Sequence, residues 1–300
     1  MRIKRRYWIP LALLAVLWGA KHFLLDTAAD PVGTYVIDLD ALHRAAVSGG
    51  ALPERLEVER IGEFAFPQSF VVAGEGLFRM HPMVLLSHRV VWHDRSVIID
   101  TAMSPDAAKK MPGSKADVAA YARMEAAIRK ADAIVFTHEH PDHVGGIAQA
   151  PDVGLLASEV LMTREQLTSP KLERDAFPAG ALAGVTPVDY QGLHTIAAGV
   201  VLQKAPGHSP GSQLVYVELA NGERFLFVGD IAWSEDNIRM QRGRPAVAKL
   251  LMREDRAAVA AQLRAIGELP GALHVIVAHD PVALERDLKA GIYKQGFSGI

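Results

Sequence analysis

Four side chains able to ligate a metal fall within the segment His138-Glu139-His140-Pro141-Asp142-His143, directly after the apolar run Ala133–Thr137 and before Val144-Gly145-Gly146. In extended backbone His138 and His140 point to the same side. Pro141 then turns the chain into a helix, from which Asp142 and His143 face a second position nearby. The spacing therefore implies two ions, which need more ligands than this segment supplies. Three further candidates each follow an apolar run: His208 in Ala205-Pro206-Gly207-His208-Ser209-Pro210-Gly211-Ser212, Asp230 after Phe225–Gly229, and His279 after Val275–Ala278. A fold that serves all of them must align its strand ends along one rim, where polar groups are held rigidly. The chain has no cysteine, which excludes disulfides, thiolate zinc sites and a thiol nucleophile, and leaves histidine and carboxylate as ligands.

The order His-x-His-x-Asp-His, Pro-Gly-His, Gly-Asp and a strand-terminal His resembles the metallo-β-lactamase superfamily, from roughly Glu57 to the C-terminus. The resemblance implies an α+β fold, a four-layer αββα sandwich with its site in a cleft at one edge of the paired sheets. It also implies two divalent ions, Zn²⁺ foremost: His138, His140 and His208 on the first, Asp142, His143 and His279 on the second, and Asp230 bridging. Asp100, which ends the run Val97–Ile99, resembles a carboxylate of the family that orients the metal loop from outside it.

Three regions are expected: an anchor or signal segment at 1–26, a spacer at 27–55 with a short helix near Leu39–Ala46, and a catalytic domain at 56–300. Short β-rich runs, Phe70–Val72, Met83–Ser87 and Val97–Ile99, suggest an antiparallel meander. Ser104-Pro105 supplies an N-cap and first-turn proline, and a helical stretch continues through Val118, Tyr121, Met124 or Glu125, and Ile128. Further on come a strand at Ala133–Thr137, a helix near Ser158–Leu167, strands near Val200–Lys204, Leu214–Leu219 and Arg224–Val228, a helix around Val259, Leu263 and Ile266, and a strand at Leu273–Ala278. Asn221-Gly222 signals a hairpin.

Arg2, Lys4, Arg5 and Arg6 precede an uncharged run from Tyr7 to Ala20, and Lys21 and His22 interrupt before Phe23-Leu24-Leu25. With Lys21 snorkelling, the stretch approaches the ~20 residues that cross a bilayer core. The basic cluster predicts a cytoplasmic N-terminus, a lipid bilayer as partner and an extracytoplasmic catalytic domain, periplasmic in a bacterium. Cleavage as a signal peptide, giving a secreted protein, is the alternative.

Two close cations bring the pKa of a shared water towards neutrality, so a di-metal-bound hydroxide is the expected nucleophile, with Asp142 the candidate to orient it and carry a proton. The expected substrate is a small ester, lactone or related acyl compound. A phosphodiester or β-lactam on the same metals, or a mono-iron dioxygenase reaction, are the alternatives. Trp233 stands where homoserine lactonases of this superfamily commonly carry a tyrosine, which makes it a candidate substrate contact without a hydroxyl. Net charge is -2, from 32 basic and 34 acidic side chains, so nucleic acid is not an expected partner. The remaining histidines, His22, His43, His81, His88, His93, His194 and His274, show no ligand pattern, and Glu139 and Glu159 are expected to be solvated. Residues 239–244 and the helix after Leu250 are candidates for a pocket cover.

Overall fold

A computed structural model describes residues 7–27, 33–150, 152–170, 172, 177–178 and 180–299. The basic cluster at Arg2, Lys4, Arg5 and Arg6 lies outside these residues. The longest pairing is antiparallel, between β1 (Arg55–Pro67) and β2 (Met80–Val91), with a bulge between Arg60 and Gly62. β3 (Ser96–Ile99) continues this expected meander, and β4 (Lys115–Ala116) pairs back onto β1. β5 (Ala133–Val135) and β6 (Val160–Leu161) then add in parallel beyond β3. A second sheet holds β7 (Leu193–Ala197), β8 (Val200–Lys204), β9 (Gln213–Glu218), β10 (Arg224–Phe227) and β11 (His274–Ile276), with β11 parallel to β10 and the others antiparallel. β12 (Lys294–Gln295) returns to the first sheet beside β1.

The period-two alternation of these strands sorts the core into three apolar layers. Val97 and Ile99 of β3 and Phe225 and Phe227 of β10 point between the sheets, where they meet Val135, Val215 and Val217. Ile98 faces the other way, with Ile134, onto the helices Val118–Ile128 and Pro141–Ala148 through Met124, Ile128, Val144 and Ile147. Leu226, Leu214 and Tyr216 face outward from the second sheet onto Leu42 and Ala46 of helix Leu39–Val47, and onto Val259, Leu263 and Ile266 of helix Arg256–Gly267. Helix, sheet, sheet and helix thus stack in the expected four layers. The segment expected as a spacer supplies part of the outer layer on the second sheet: Leu42 and Ala46 are fully buried, and the Tyr35 hydroxyl donates to the Lys204 carbonyl.

Three local expectations are corrected. The helical stretch from Ser104-Pro105 is not continuous: Pro105–Ala108 make one turn, the chain then passes through β4, and helix Val118–Ile128 starts afresh after Asp117, whose side chain accepts from the Ala120 amide. Phe70–Val72 is not a strand, because β1 ends at Pro67 and Gln68–Val71 make a single helical turn that swings Phe70 against Phe66 and Trp233. Ser158–Leu167 is not one helix: Val160 and Leu161 pair with β5, and the helix starts at Arg164, where Thr163 and Gln166 form a capping box. The hairpin at Asn221-Gly222 joins β9 to β10 through a loop in which Gly222 takes φ +90.

Before the domain, helix Trp8–Ala20 runs on through a π turn at Lys21–Leu25. The resulting 18 residues have mean hydropathy 1.6, and none is packed inside the protein. At 1.5 Å per residue the helix is about 27 Å long, close to the thickness of a bilayer core.

Candidate metal centre

Both sheets deliver their functional side chains to one rim. His138 and His140 follow β5, and Asp142 and His143 sit in the first turn of helix Pro141–Ala148, whose N1 position is Pro141. The second sheet supplies Asp230 in a 3₁₀ turn just past β10, His279 past β11, and His208 from the loop between β8 and β9. Gly229 has φ +50, and a Cβ there would lie 2.7 Å from the Thr137 side chain, so only glycine lets the Asp230 turn approach the end of β5.

The seven side chains predicted from the sequence come together in two groups that share Asp230. His138, His140, His208 and Asp230 form one, and Asp142, His143, His279 and Asp230 the other, with candidate ligand atoms within 4.8 Å of one another in each. The two Asp230 oxygens divide between them. Oδ2 lies 3.2 Å from His208 Nε2 and 3.6 Å from His138 Nε2, whereas Oδ1 lies 3.1 Å from His143 Nε2 and 3.2 Å from His279 Nε2. Asp142 Oδ2 stands 3.5 Å from His279 Nε2 on the open side.

Away from this centre, the outer ring nitrogens are held. His143 Nδ1 is 2.8 Å from Asp100 Oδ2, His208 Nδ1 is 3.0 Å from Glu254 Oε2, and His279 Nδ1 is 2.8 Å from the Val84 carbonyl. Such partners fix tautomer and ring orientation. Asp100 also accepts from the Thr137 backbone N–H and hydroxyl, which ties β3 to the start of the histidine loop. Facing inward, His138 Nε2, His143 Nε2, His279 Nε2 and Asp230 Oδ1 are buried without a hydrogen-bond partner. Buried polar atoms are rarely left so, and four converging on one spot fit cations supplied from outside the chain.

The buried histidines and carboxylates also act strongly on one another. Burial, reinforced by His143, His140 and His208, holds the His138 imidazole well below the ordinary histidine range against the pull of Asp230. Burial alone would also lower His143, but Asp100, Asp230 and Asp142 raise it well above that range. Burial opposes ionisation of Asp230, yet the surrounding histidines hold its carboxyl well below the usual carboxylate range.

Beside the centre lies a cavity of about 220 Å³, lined by Phe64, Phe66, Met83, Met111, Met252 and Trp233 together with His140, Asp142, Asp230 and His279. Trp233 therefore forms pocket wall, packed edge-on against Phe66 and near-parallel to Phe70. The expected cover at 239–244 is partly interior. Arg244 is 1% exposed, spans Trp233 at 4.8 Å, and donates both to Glu254 and to the Asp230 carbonyl oxygen.

Three residues of the site escaped the sequence reading. Glu139, expected to be solvated, is 1% exposed: it accepts from the Ser209 hydroxyl at 2.7 Å and so joins the histidine loop to the His208 loop, while burial pushes its carboxyl up. Its position inside the histidine motif was the available signal. Arg244 ends the segment expected as a cover and Glu254 lies in a stretch without periodicity or motif, and nothing in the letters marked either for a buried place behind His208.

A four-layer sandwich whose two sheets meet at a paired histidine–aspartate centre is the architecture of a metallohydrolase. A profile described as the metallo-beta-lactamase superfamily matches residues 90–279, and the chain belongs to that superfamily of metal-dependent hydrolases. A hydroxyacylglutathione hydrolase of Pseudomonas savastanoi pv. phaseolicola is 26% identical over 169 residues, 56% of this chain and 57% of that protein, so the match spans little more than half of the relative. Among solved structures, an N-acyl homoserine lactone hydrolase holding N-hexanoyl-L-homoserine at its catalytic metal centre superposes with TM-score 0.59 at 16% identity, covering 78% of this chain and 96% of that one. A dizinc quorum-quenching lactonase gives 0.55 at 16% identity, covering 78% and 92%. At these identities the structural likeness speaks for the fold.

Proposed function

We propose that the chain hydrolyses a small ester, lactone or related acyl substrate at a centre of two divalent cations, for which Zn²⁺ suits the nitrogen and oxygen donors. The observation that carries this reading is the division of Asp230, with one oxygen toward His138 and His208 and the other toward His143 and His279. His138, His140 and His208 would hold one ion, Asp142, His143 and His279 the other, and Asp230 would bridge. Bound cations of this kind make water acidic near neutral pH and polarise a carbonyl oxygen.

The chain's own contribution is positioning. Asp142 has a side chain 20% exposed, against 2% for Asp230, and lines the pocket. It is placed to orient the attacking water and to pass a proton to the leaving group. Phe64, Phe66, Met83, Met111, Met252 and Trp233 would receive the apolar part of the substrate. Among the described residues no lysine or arginine lines this pocket, which favours an uncharged acyl compound over a phosphodiester.

We further read Trp8–Leu25 as a membrane span, residues 27–55 as the link that docks helix Leu39–Val47 on the second sheet, and 56–300 as the catalytic domain. The cations at Arg2, Lys4, Arg5 and Arg6 favour a cytoplasmic N-terminus and an extracytoplasmic, in bacteria periplasmic, domain. Elemental analysis of purified full chain, with turnover on lactone, thioester, nitrocefin and bis-p-nitrophenyl phosphate, tests the catalytic reading. About two zinc per chain with lactone or ester turnover is expected. One iron with oxygen consumption, or turnover confined to the phosphodiester, would overturn it. Fractionation into membrane and soluble pools tests the span, and recovery of a shortened soluble chain would establish signal cleavage instead.

A further inference from the structure

Outside the N-terminal helix, the exposed large apolar side chains that adjoin one another lie in two segments beside the pocket, whereas Val36, Val47, Val118, Leu155 and Val282 stand singly elsewhere. The loop after helix Gln68–Val71 presents Phe78, 95% exposed, with Leu77 and Met80 beside it. Helix Val247–Leu251 presents Leu250 at 68% and Leu251 at 65%. Each continues directly from the pocket: the first from Phe66 and from Phe70, which packs behind Phe66 and Trp233, and the second into Met252.

The N-terminal helix ends at the same loop. A Cβ on Gly74 would lie 2.6 Å from Thr27 Cγ2 and 3.6 Å from the Leu25 carbonyl oxygen. Arg256 donates to the Asp26 carbonyl, and Arg242 pairs with Glu75 at 3.1 Å. The Ala73 amide donates to Gly243, which ties this loop to the segment leading into helix Val247–Leu251. The helix exit, the loop that carries Phe78 and the segment that leads to Leu250 and Leu251 are therefore bonded to one another beside the pocket walls. Arg79, Lys249 and Arg253 are also exposed in these segments. Apolar side chains interleaved with cations match the headgroup zone of an anionic bilayer, and an aromatic ring held almost fully in water serves no folding purpose.

We propose that this face rests on the bilayer entered by Trp8–Leu25, with Phe78 and Leu251 seated in the interface, so that the pocket opens onto the membrane and draws amphiphilic acyl substrates from it. The proposal depends on reading Trp8–Leu25 as a span, and its test separates the two. The chain contains no cysteine, so Phe78→Cys, Leu251→Cys and Asn221→Cys each give one labelling site. Asn221 lies in the β9–β10 turn, at the end of β10 away from Asp230, and serves as the reference.

Full chains carrying an environment-sensitive fluorophore at these sites are reconstituted into phosphatidylcholine–phosphatidylglycerol vesicles containing nitroxide lipid. Quenching at positions 78 and 251 should exceed that at 221 at least threefold. Vesicle-bound chains with equal quenching at all three would overturn the proposal and leave the span standing. Chains that fail to pellet with vesicles would overturn both, and energy transfer between Phe78→Cys labels on different chains would assign the face to a second copy instead. In a kinetic arm, Phe78→Asp with Leu251→Asp should slow hydrolysis of a long-chain ester in vesicles at least fivefold, with a short water-soluble ester unaffected. An equal loss on both substrates would overturn the proposal, whereas the optical arm needs no turnover and stands apart from the hydrolase reading.

Discussion

Asp100 Oδ2 lies 2.8 Å from His143 Nδ1, while the opposite ring nitrogen, Nε2, faces Asp230 Oδ1 at 3.1 Å. One imidazole is thus held between a carboxylate that orients it and the carboxylate proposed to share its ion. Asp100 takes this position with φ +56, a conformation non-glycine residues seldom adopt, maintained by its bonds to Thr137. Asp100→Asn retains the shape and removes the charge. It should weaken binding at the His143 site about 10- to 100-fold, as loss of such outer partners generally does. Zinc titration calorimetry on metal-free protein checks this, with the His138 site as internal reference.

Asp230→Ala removes the one carboxylate common to both groups. Occupancy of the second ion should fall below half under conditions that saturate the parent, and turnover should drop by at least about 100-fold, in the range of losing a group that acts on the transition state. The fold should persist, because the strands leading into the turn carry their own packing. Full occupancy with unchanged turnover would contradict the bridging role.

Removing the ions should lower stability without unfolding the chain. Three unpaired imidazole nitrogens and a carboxylate oxygen are buried at the centre, and cations that bind them only in the folded state stabilise it by mass action, about 4 kcal/mol at a free concentration 1,000 times Kd. Calorimetric melting before and after chelation should show a lower, still cooperative transition, restored by added zinc.

Arg244 and Glu254 form a fully buried ion pair behind His208. Arg244→Met leaves Glu254 without its main counter-charge and should destabilise the protein by about 3–5 kcal/mol, the usual result of breaking a buried pair from one side. Arg244→Met combined with Glu254→Leu should recover most of that stability while metal affinity falls, because His208 Nδ1 then has no partner. Urea melts and zinc titration separate the two effects.

His88 reports on acid stability. Burial lowers its imidazole from 6.5 to about 4, against a smaller opposite pull from Asp100. The folded chain therefore binds fewer protons than the unfolded chain between those values. Its contribution is complete above pH 6.5 and diminishes as pH falls towards 4, by up to ~1.4 kcal/mol per unit. His88→Phe, which retains the ring against Phe227 and Tyr293, should remove about 2 kcal/mol of the difference between urea melts at pH 7 and pH 4.5.

What could be read from the letters divides by range. The histidine motif, the Pro141 helix start and the strand-terminal positions of Asp230 and His279 are local patterns, and the structure places them where those patterns point. Burial of Glu139 depends on Ser209, and the place of Glu254 depends on His208 and Arg244, so neither follows from any neighbouring residue. Phe70 reads as strand by composition, yet its packing against Phe66 and Trp233 belongs to the pocket, and Val160–Leu161 is strand only because β5 offers an open edge. Long-range partners decide such cases, and periodicity carries no information about them.

The rim draws His138, His140, Asp142 and His143 from one sheet and His208, Asp230 and His279 from the other. Any slip of one layer over its neighbour would stretch every distance across that seam together. A displacement near 1 Å suffices to cost an enzyme about two orders of magnitude in rate, so substitutions deep in the shared core, far from any reacting atom, will be felt first as lost activity and only later as lost folding.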